Sequence, residues 1–114
     1  MGNQYADFAL LFKALSDETR LKIIDMLSCG ELCACDILRN LDISQPTLSY
    51  HMKMLTECGI VSADRRGAWM HYTLNAETVK RISEYWSRSA SSKEDCICRR
   101  GGGGQEEHGA CTEE

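Results

Sequence analysis

The sequence has no long hydrophobic run and no basic-then-apolar leader of the kind that directs export. Its apolar stretch near the start, Phe8-Ala9-Leu10-Leu11-Phe12, is far shorter than the roughly 20 residues that a membrane-spanning helix needs. We therefore expect a cytoplasmic protein with no membrane partner. Its 114 residues suffice for one compact domain and not for two.

The usual signs of a thiol enzyme are also missing. The sequence has no C-x-x-C motif, no strand-to-helix turn that would cradle an oxyanion, and no evident general base beside Cys33 or Cys35. We expect a protein that is not an enzyme and that binds no organic cofactor.

The acidic excess is confined to the end of the chain. The formal net charge is −4, yet residues 1–100 hold 13 basic and 13 acidic side chains, whereas 101–114 hold four glutamates and neither Lys nor Arg. Because the body is neutral, the acidity does not exclude nucleic acid as a partner. The four glycines at 101–104 follow a polar stretch, so we predict a domain over 1–92 and a disordered tail over 93–114.

Apolar residues that recur every three or four positions predict four helices in the first half of the chain. The predicted helices are 4–15, one that is capped by Ser16 and ends at Gly30, 31–40 and 45–57. The second is expected to face the core with Leu21, Ile24 and Leu27. The fourth is expected to begin after the N-cap Ser44 and to face inward with Leu48, Met52 and Leu55.

The pattern becomes strand-like after Gly59. β-Branched and aromatic residues predict strands over 60–64 and 69–73, with Arg65-Arg66-Gly67-Ala68 as the hairpin tip. A last helix is expected after the cap Asn75. Four helices, a β-hairpin and a closing helix describe a mainly α fold with a β-hairpin wing (α+β), the winged helix-turn-helix.

In such a motif the second helix lies in the major groove, with its N-terminal residues at the base edges. Polar side chains on its outer face can bond bases or phosphates, and arginines on the wing can reach the phosphate backbone or a narrow minor groove. The predicted DNA-binding residues are Ser44, Gln45, Thr47, Ser49, Tyr50, Lys53, Arg65 and Arg66. The plainer alternative is that these residues only solvate an exposed helix face.

This DNA-reading region carries little positive charge. Residues 45–73 have three basic and two acidic side chains, which implies weak binding by a single subunit. Two subunits on half-sites about one helical turn apart would double the number of basic side chains that face the DNA. We therefore expect a homodimer on pseudo-palindromic operator DNA. The predicted interface residues are Phe8, Leu11, Phe12, Val79, Ile82 and Trp86. Alternatively, these residues only close the core of one subunit.

Three segments resemble the ArsR/SmtB family of transcriptional repressors, and the similarity runs from about residue 8 to residue 88. The segments are Ala14-Leu15-Ser16-Asp17-Glu18-Thr19-Arg20-Leu21, Ser44-Gln45-Pro46-Thr47-Leu48-Ser49-Tyr50-His51-Met52-Lys53-Met54-Leu55 and Arg66-Gly67-Ala68-Trp69-Met70-His71-Tyr72. A fourth, Glu31-Leu32-Cys33-Ala34-Cys35-Asp36, resembles the arsenic-sensing branch. The resemblance implies a homodimer that represses its own operon and leaves the operator when an inducer binds.

Seven irregularly spaced cysteines without a signal peptide indicate reduced thiols for metal or redox chemistry. Cys33 is expected at the N-cap of the third helix and Cys35 in its first turn, where the positive helix end favours thiolates. Thiolates are soft ligands, and the resemblance to the arsenic-sensing branch implies that this pair binds trivalent arsenic (arsenite or methylarsenite) or antimonite as inducer. The plainer alternative is that both are small buried apolar residues. Residues two apart on a helix point to opposite sides, so the first turn must unwind or Cys33 must stay outside the helix.

The sequence departs from the family at Leu38, where arsenic-sensing relatives often have the third cysteine of C-x-C-x-x-C. A third thiol would come from Cys29, Cys96 or Cys98, or from an exogenous thiol; alternatively, two thiols suffice for a singly methylated arsenical. The zinc-sensing branch places His, Asp and Glu ligands on its last helix. Residues 75–92 contain no histidine, so that branch is disfavoured.

Several other residues have a predicted role outside this site. Cys96, Cys98, His108 and Cys111 form either a second, zinc-type site or an unstructured run of thiols. Cys58 is expected to be structural, and His51 and His71 to be packed or hydrogen-bonded. The alternative to metalloid sensing is a DNA-binding redox switch in which Cys33 and Cys35 oxidise.

Overall fold

The structure, a computed structural model, describes residues 3–91 as five helices and three strands. They are α1 Gln4–Leu15, α2 Glu18–Leu27, β1 Leu32–Cys33, α3 Ala34–Arg39, α4 Gln45–Glu57, β2 Val61–Arg66, β3 Trp69–Leu74 and α5 Ala76–Ala90. The prediction of a mainly helical fold with a β-hairpin wing is confirmed. No helix in this part of the chain is long and apolar enough to cross a membrane. Cys96, Cys98, His108, Cys111 and the tail predicted over 93–114 lie outside the described residues.

The chain divides into two compact units, and the first ends at Ile82, a residue of α5. The first unit contains α1 to α4, all three strands and the first residues of α5. The described part of the second unit is the rest of α5 and Ser91.

Side-chain caps set where the helices begin. Asn3 Oδ1 accepts a hydrogen bond from Tyr5 N at the start of α1, and Asn75 Oδ1 accepts one from Glu77 N at the start of α5. The prediction of Ser16 as the cap of α2 is wrong. Ser16 instead ends α1, where its hydroxyl bonds Lys13 O at 2.9 Å, and the next residue, Asp17, caps α2.

The apolar faces of the helices form the core of the first unit. Ile23, Ile37, Met52 and Leu55 are its largest fully buried side chains. Leu48, Met52 and Leu55 face inward from α4 as predicted. In α2, Leu27 is buried as predicted, but Leu21 is 52 % exposed and Ile24 is intermediate, and Ile23 is the fully buried residue instead.

The three strands form an antiparallel sheet with β3 in the centre. Leu32 and Cys33, predicted as part of a helix over 31–40, form β1 and pair with Tyr72 and His71. Only Ala34–Arg39 is helical there, because Leu32 and Cys33 pair with β3 instead.

The wing strands are longer than predicted. Arg65 and Arg66 pair with Met70 and Trp69, so they extend β2, and the turn consists of Gly67 and Ala68 alone. Gly67 has a φ of +63°, which suits the first position of a two-residue hairpin turn and is strained for any other residue. The hairpin tip is therefore narrower than the sequence suggested.

Candidate functional site

The helix-turn-helix consists of α3 and α4, which are joined by residues 40–44. Ser44 caps α4 as predicted: its hydroxyl accepts a hydrogen bond from Thr47 N at 3.3 Å and donates one to Thr47 Oγ1 at 3.0 Å. These two exposed residues thus hold each other at the end of α4 that would meet base edges. Their mutual bonding fixes the position of the first turn of this helix.

The outer face of α4 is polar and open to solvent. All of the residues predicted to read DNA from this helix are exposed, namely Gln45, Thr47, Ser49, Tyr50 and Lys53. The Tyr50 side chain is 57 % exposed, and the Lys53 ammonium lies 3.9 Å from Glu57. An ion pair this long and this exposed contributes little, so Lys53 remains available to a phosphate.

The two wing arginines have different surroundings. Within residues 3–91, Arg65 makes no ion pair, whereas Arg66 bonds both the Glu31 carboxylate at 2.8 Å and the Asp64 carboxylate at 2.9 Å. The hydrogen bond from Arg66 holds the pKa of the Glu31 carboxyl below its usual value. The other Glu31 oxygen lies 3.1 Å from His71 Nδ1. Arg66 therefore ties the wing to the segment before β1.

Cys33 lies outside the regular helix. It is the last residue of β1 and the N-cap of α3, with φ −85° and ψ 161°, and Cys35 follows in the first turn. Their Cα atoms are 5.3 Å apart, and their sulfurs are joined in a disulfide. Of the two predicted ways to bring the sulfurs together, the structure has the one in which Cys33 stays outside the helix, so no unwinding is needed.

A carboxylate completes this cluster. The possible ligand atoms of Cys33, Cys35 and Asp36 all lie within 4.8 Å of one another. Asp36 also accepts a hydrogen bond from Cys33 N at 3.2 Å and contacts Arg39 at 3.3 Å. Among residues 3–91 no third thiol joins the group, and Cys29 is free and exposed. The site thus supplies two sulfurs and one oxygen.

Among residues 3–91, Cys58, His51 and His71 have the surroundings that the sequence suggested. Cys58 bonds Leu55 O at 3.4 Å at the end of α4, which fits a structural role. His51 is buried. His71, which belongs to the wing strand β3, contacts the Glu31 carboxylate.

Sequence reasoning missed Arg20, a buried charged residue of α2. Its Nε donates to Ala14 O at 2.6 Å, and its Nη1 donates to His51 Nδ1 at 3.0 Å. It therefore connects the end of α1 to α4. No local pattern in the sequence marks a residue of this kind, because both partners come from other helices.

The residues predicted for a dimer interface fall into three groups by exposure. Phe8 and Leu11 are only 6 % and 2 % exposed, so neighbours in the same protomer already cover them. Val79 and Trp86 are exposed, at 39 % and 55 %. Phe12 and Ile82 are intermediate.

Comparison with known proteins identifies the family. The model of the arsR family of bacterial regulatory proteins matches residues 17–63. The arsenical resistance operon repressor of Staphylococcus xylosus is 42 % identical over 95 residues, 83 % of this chain and 91 % of that protein. The chain belongs to the arsR family. The repressor of the same name from Escherichia coli (strain K12) is 45 % identical over 94 residues, 78 % of this chain and 80 % of its own length.

A solved structure has a similar fold. HlyU from Vibrio cholerae N16961 is 32 % identical and superposes with a TM-score of 0.65, covering 79 % of this arsR-family chain and 98 % of its own. The resemblance to ArsR/SmtB repressors, inferred from four segments, is therefore confirmed. The winged helix-turn-helix of this arsR-family chain is the fold of a transcriptional regulator.

Proposed function

We propose that this chain represses transcription by binding operator DNA as a homodimer and releases it when Cys33 and Cys35 bind trivalent arsenic or antimony. The observation that carries the proposal is the meeting of two sulfurs at the first residues of the helix-turn-helix. Relatives that are 42 % and 45 % identical are named arsenical resistance operon repressors, which supports an arsenical as inducer.

The chemistry requires the two cysteines as free thiols. Two equivalents of an exogenous thiol first reduce the disulfide and are themselves joined as a disulfide. Each cysteine sulfur then replaces one hydroxyl of arsenite, two waters leave, and arsenic keeps its trivalent state. Thiolates suit such a soft element better than nitrogen or oxygen ligands do.

A path from this site to the DNA interface runs through the sheet. Cys33 pairs with His71 across β1 and β3, and Glu31, two residues earlier, bonds Arg66 of the wing. Since Cys33 is also the N-cap residue of α3, a change in the distance between the sulfurs would displace both β1, which is paired with the wing, and the first helix of the motif. Operator affinity then falls through a shift of these elements, and α3 does not need to unwind.

The DNA-binding surface would combine the outer face of α4 with the wing. Gln45, Ser49 and Lys53 are exposed on α4, and Arg65 is exposed on β2. We assign base contacts to the α4 residues and phosphate contacts to Arg65, as the geometry of this motif requires. Arg66 would act mainly by holding the wing, because two carboxylates already bond it.

A gel shift of the chain's own upstream DNA tests the proposal. The reduced protein is titrated with arsenite, antimonite, methylarsenite, cadmium, zinc and peroxide, and so are Cys33→Ser, Cys35→Ser and the control Cys58→Ser. Trivalent arsenic or antimony should release the DNA from the wild type and the control but not from the first two variants. Persistent binding by the wild type at saturating arsenite would contradict the proposal.

The second candidate is a redox switch, and the disulfide between Cys33 and Cys35 favours it. In that case peroxide oxidises the two thiols to the disulfide, forms two waters, and releases the operator. Release by peroxide without release by arsenite identifies this function. Participation of Cys96 or Cys98 as a third thiol stays a prediction.

A further inference from the structure

A cleft of about 460 Å³ lies between α3, the start of α4 and the β2–β3 wing. Its lining includes Cys35, Leu38, Gln45, Ser49, Trp69 and Tyr72, all within the first compact unit. One residue of the sulfur pair therefore borders a cavity large enough for a small organic group.

The cleft is lined by apolar and aromatic side chains and also by two arginines, Arg39 and Arg65. Leu38 lies three residues after Cys35, so both side chains project from the same face of α3. Trp69 is 50 % exposed and Tyr72 is 8 % exposed, so the cleft offers one open and one buried aromatic ring. An aromatic group in the cleft could gain burial and ring contacts from these side chains.

The valence of arsenic also favours an organic group in this cleft. Trivalent arsenic forms three bonds, and this site supplies two sulfurs within residues 3–91. An arsenical with one carbon substituent needs only two thiolates, because carbon occupies the third position. The substituent then points away from the sulfurs and needs a place to lie.

We propose that the cleft receives the organic substituent of a monosubstituted trivalent arsenical, an aryl group above all, while its arsenic binds Cys33 and Cys35. This inference rests on the proposed function. In the reaction, R–As(OH)₂ and two thiols give R–As(S–Cys)₂ and two waters, with no change in oxidation state once the disulfide has been reduced.

The same occupant would oppose operator binding. Gln45 and Ser49 line the cleft and also belong to the outer face of α4, and Trp69 begins β3 of the wing. A ring held there lies between the two elements that would contact DNA. Larger substituents should therefore be stronger inducers for as long as the cleft can hold them.

The test compares three arsenicals on the reduced, full-length protein bound to labelled operator: arsenite, a trivalent methylarsenical and a trivalent phenylarsenical. We expect half-release by the phenyl compound at roughly one-tenth of the methyl concentration, since burying a ring is worth about a factor of ten or more. Trp69→Ala should remove most of this advantage. The control Leu21→Ala, at an exposed leucine outside the cleft, should retain it.

A second variant and a second readout keep the test independent of folding defects at Trp69. Leu38→Phe fills the cleft and should weaken release by the phenyl compound more than it weakens release by arsenite. In Trp86→Phe, Trp69 is the sole tryptophan, and its fluorescence should change more with the phenyl than with the methyl compound.

The outcomes separate the two proposals. If arsenite releases DNA and the phenyl compound is no better than the methyl compound, the cleft inference fails and the proposed function stands. A phenyl advantage that persists in both Trp69→Ala and Leu38→Phe also overturns the inference. If none of the three arsenicals releases DNA, the proposed function itself fails, and the inference fails with it.

Discussion

Leu38 is the residue that limits the sulfur count of the cysteine site. It shares a face of α3 with Cys35, so a cysteine there would place a third sulfur beside the pair. We predict that Leu38→Cys lowers the arsenite concentration for half-release by about tenfold, because the third ligand is already held at high effective concentration. The measurement is operator release under reducing conditions.

A matched variant distinguishes this geometry from a mere increase in thiols. Asn40→Cys adds an exposed thiol just after α3 and should leave the arsenite response unchanged. An equal gain in both variants would show that the position on α3 is irrelevant.

Arg20 stabilises the packing of three helices through hydrogen bonds to Ala14 O and His51. Its loss leaves both acceptors buried without their donor. Arg20→Leu should lower the free energy of unfolding by about 2–3 kcal/mol in urea denaturation at fixed protein concentration. Lys22→Leu, on an exposed position of the same helix, should change it by less than about 0.5 kcal/mol. Similar losses in the two variants would mean that the buried network is energetically unimportant.

At the scale of single residues, the sequence predicted the roles that depend on neighbouring residues. It missed the roles that depend on partners far away in the sequence. The N-cap position of Cys33 follows from the few residues around it, and the structure has it there. The roles of Arg20 and Arg66 depend on partners on other elements, such as Glu31, which lies 35 residues from Arg66. A buried arginine and a solvent-facing one have the same local sequence signature.

Among the helices and strands, α2 illustrates how the stability of an element depends on its N-cap residue. Asp17 accepts a hydrogen bond from Arg20 N at 3.0 Å, and this bond lowers the pKa of its carboxyl below the ordinary 3.8. Because the folded pKa is below the unfolded one, the stabilisation is complete above the ordinary value and is lost as the pH falls through the lowered value. Acid should therefore weaken α2.

Two substitutions test this cap. Asp17→Ala should lower the free energy of unfolding by about 1 kcal/mol at neutral pH, and Asp17→Asn by less, since asparagine also caps well. Asp17→Asn should lose less stability than the wild type when the pH is lowered below 4. Parallel pH profiles for the wild type and Asp17→Asn would contradict the assigned role of the carboxylate.

The bounds of two helices could be predicted from the sequence, whereas the bounds of the strands depend on pairing with distant segments. Helices 4–15 and 45–57 were predicted to the residue, because caps and apolar periodicity are local signals. Strand β1 was missed because two residues carry no periodicity and pair only with a strand almost 40 positions later. Likewise, Arg65 and Arg66 join β2 through their partners across the hairpin.

Dimerisation belongs to the scale of the whole molecule. Val79 is an exposed apolar residue of α5 on the predicted interface, and a buried charge there would be costly. We predict that Val79→Glu shifts the protein toward monomers in sedimentation experiments and weakens operator binding. Leu21→Glu, at an exposed leucine of α2, should do neither. Monomer formation by both variants, or by neither, would remove Val79 from the proposed interface.

The net charge of the chain does not describe the charge of the part that would contact DNA. The net charge of −4 comes from residues 101–114, while the polar face of α4 and Arg65 lie on a neutral body. Fold and family could be predicted because several independent segments agree. The cleft between α3, α4 and the wing could not, since its walls come from elements that approach only in three dimensions.

The most direct test is the fluorescence anisotropy of labelled operator bound to the reduced protein as arsenite is added. For the wild type we predict a fall to the value of free DNA. For the double variant Cys33→Ser/Cys35→Ser, which should bind the operator equally well, we predict no fall at any arsenite concentration. Equal release from the wild type and the double variant would contradict the account.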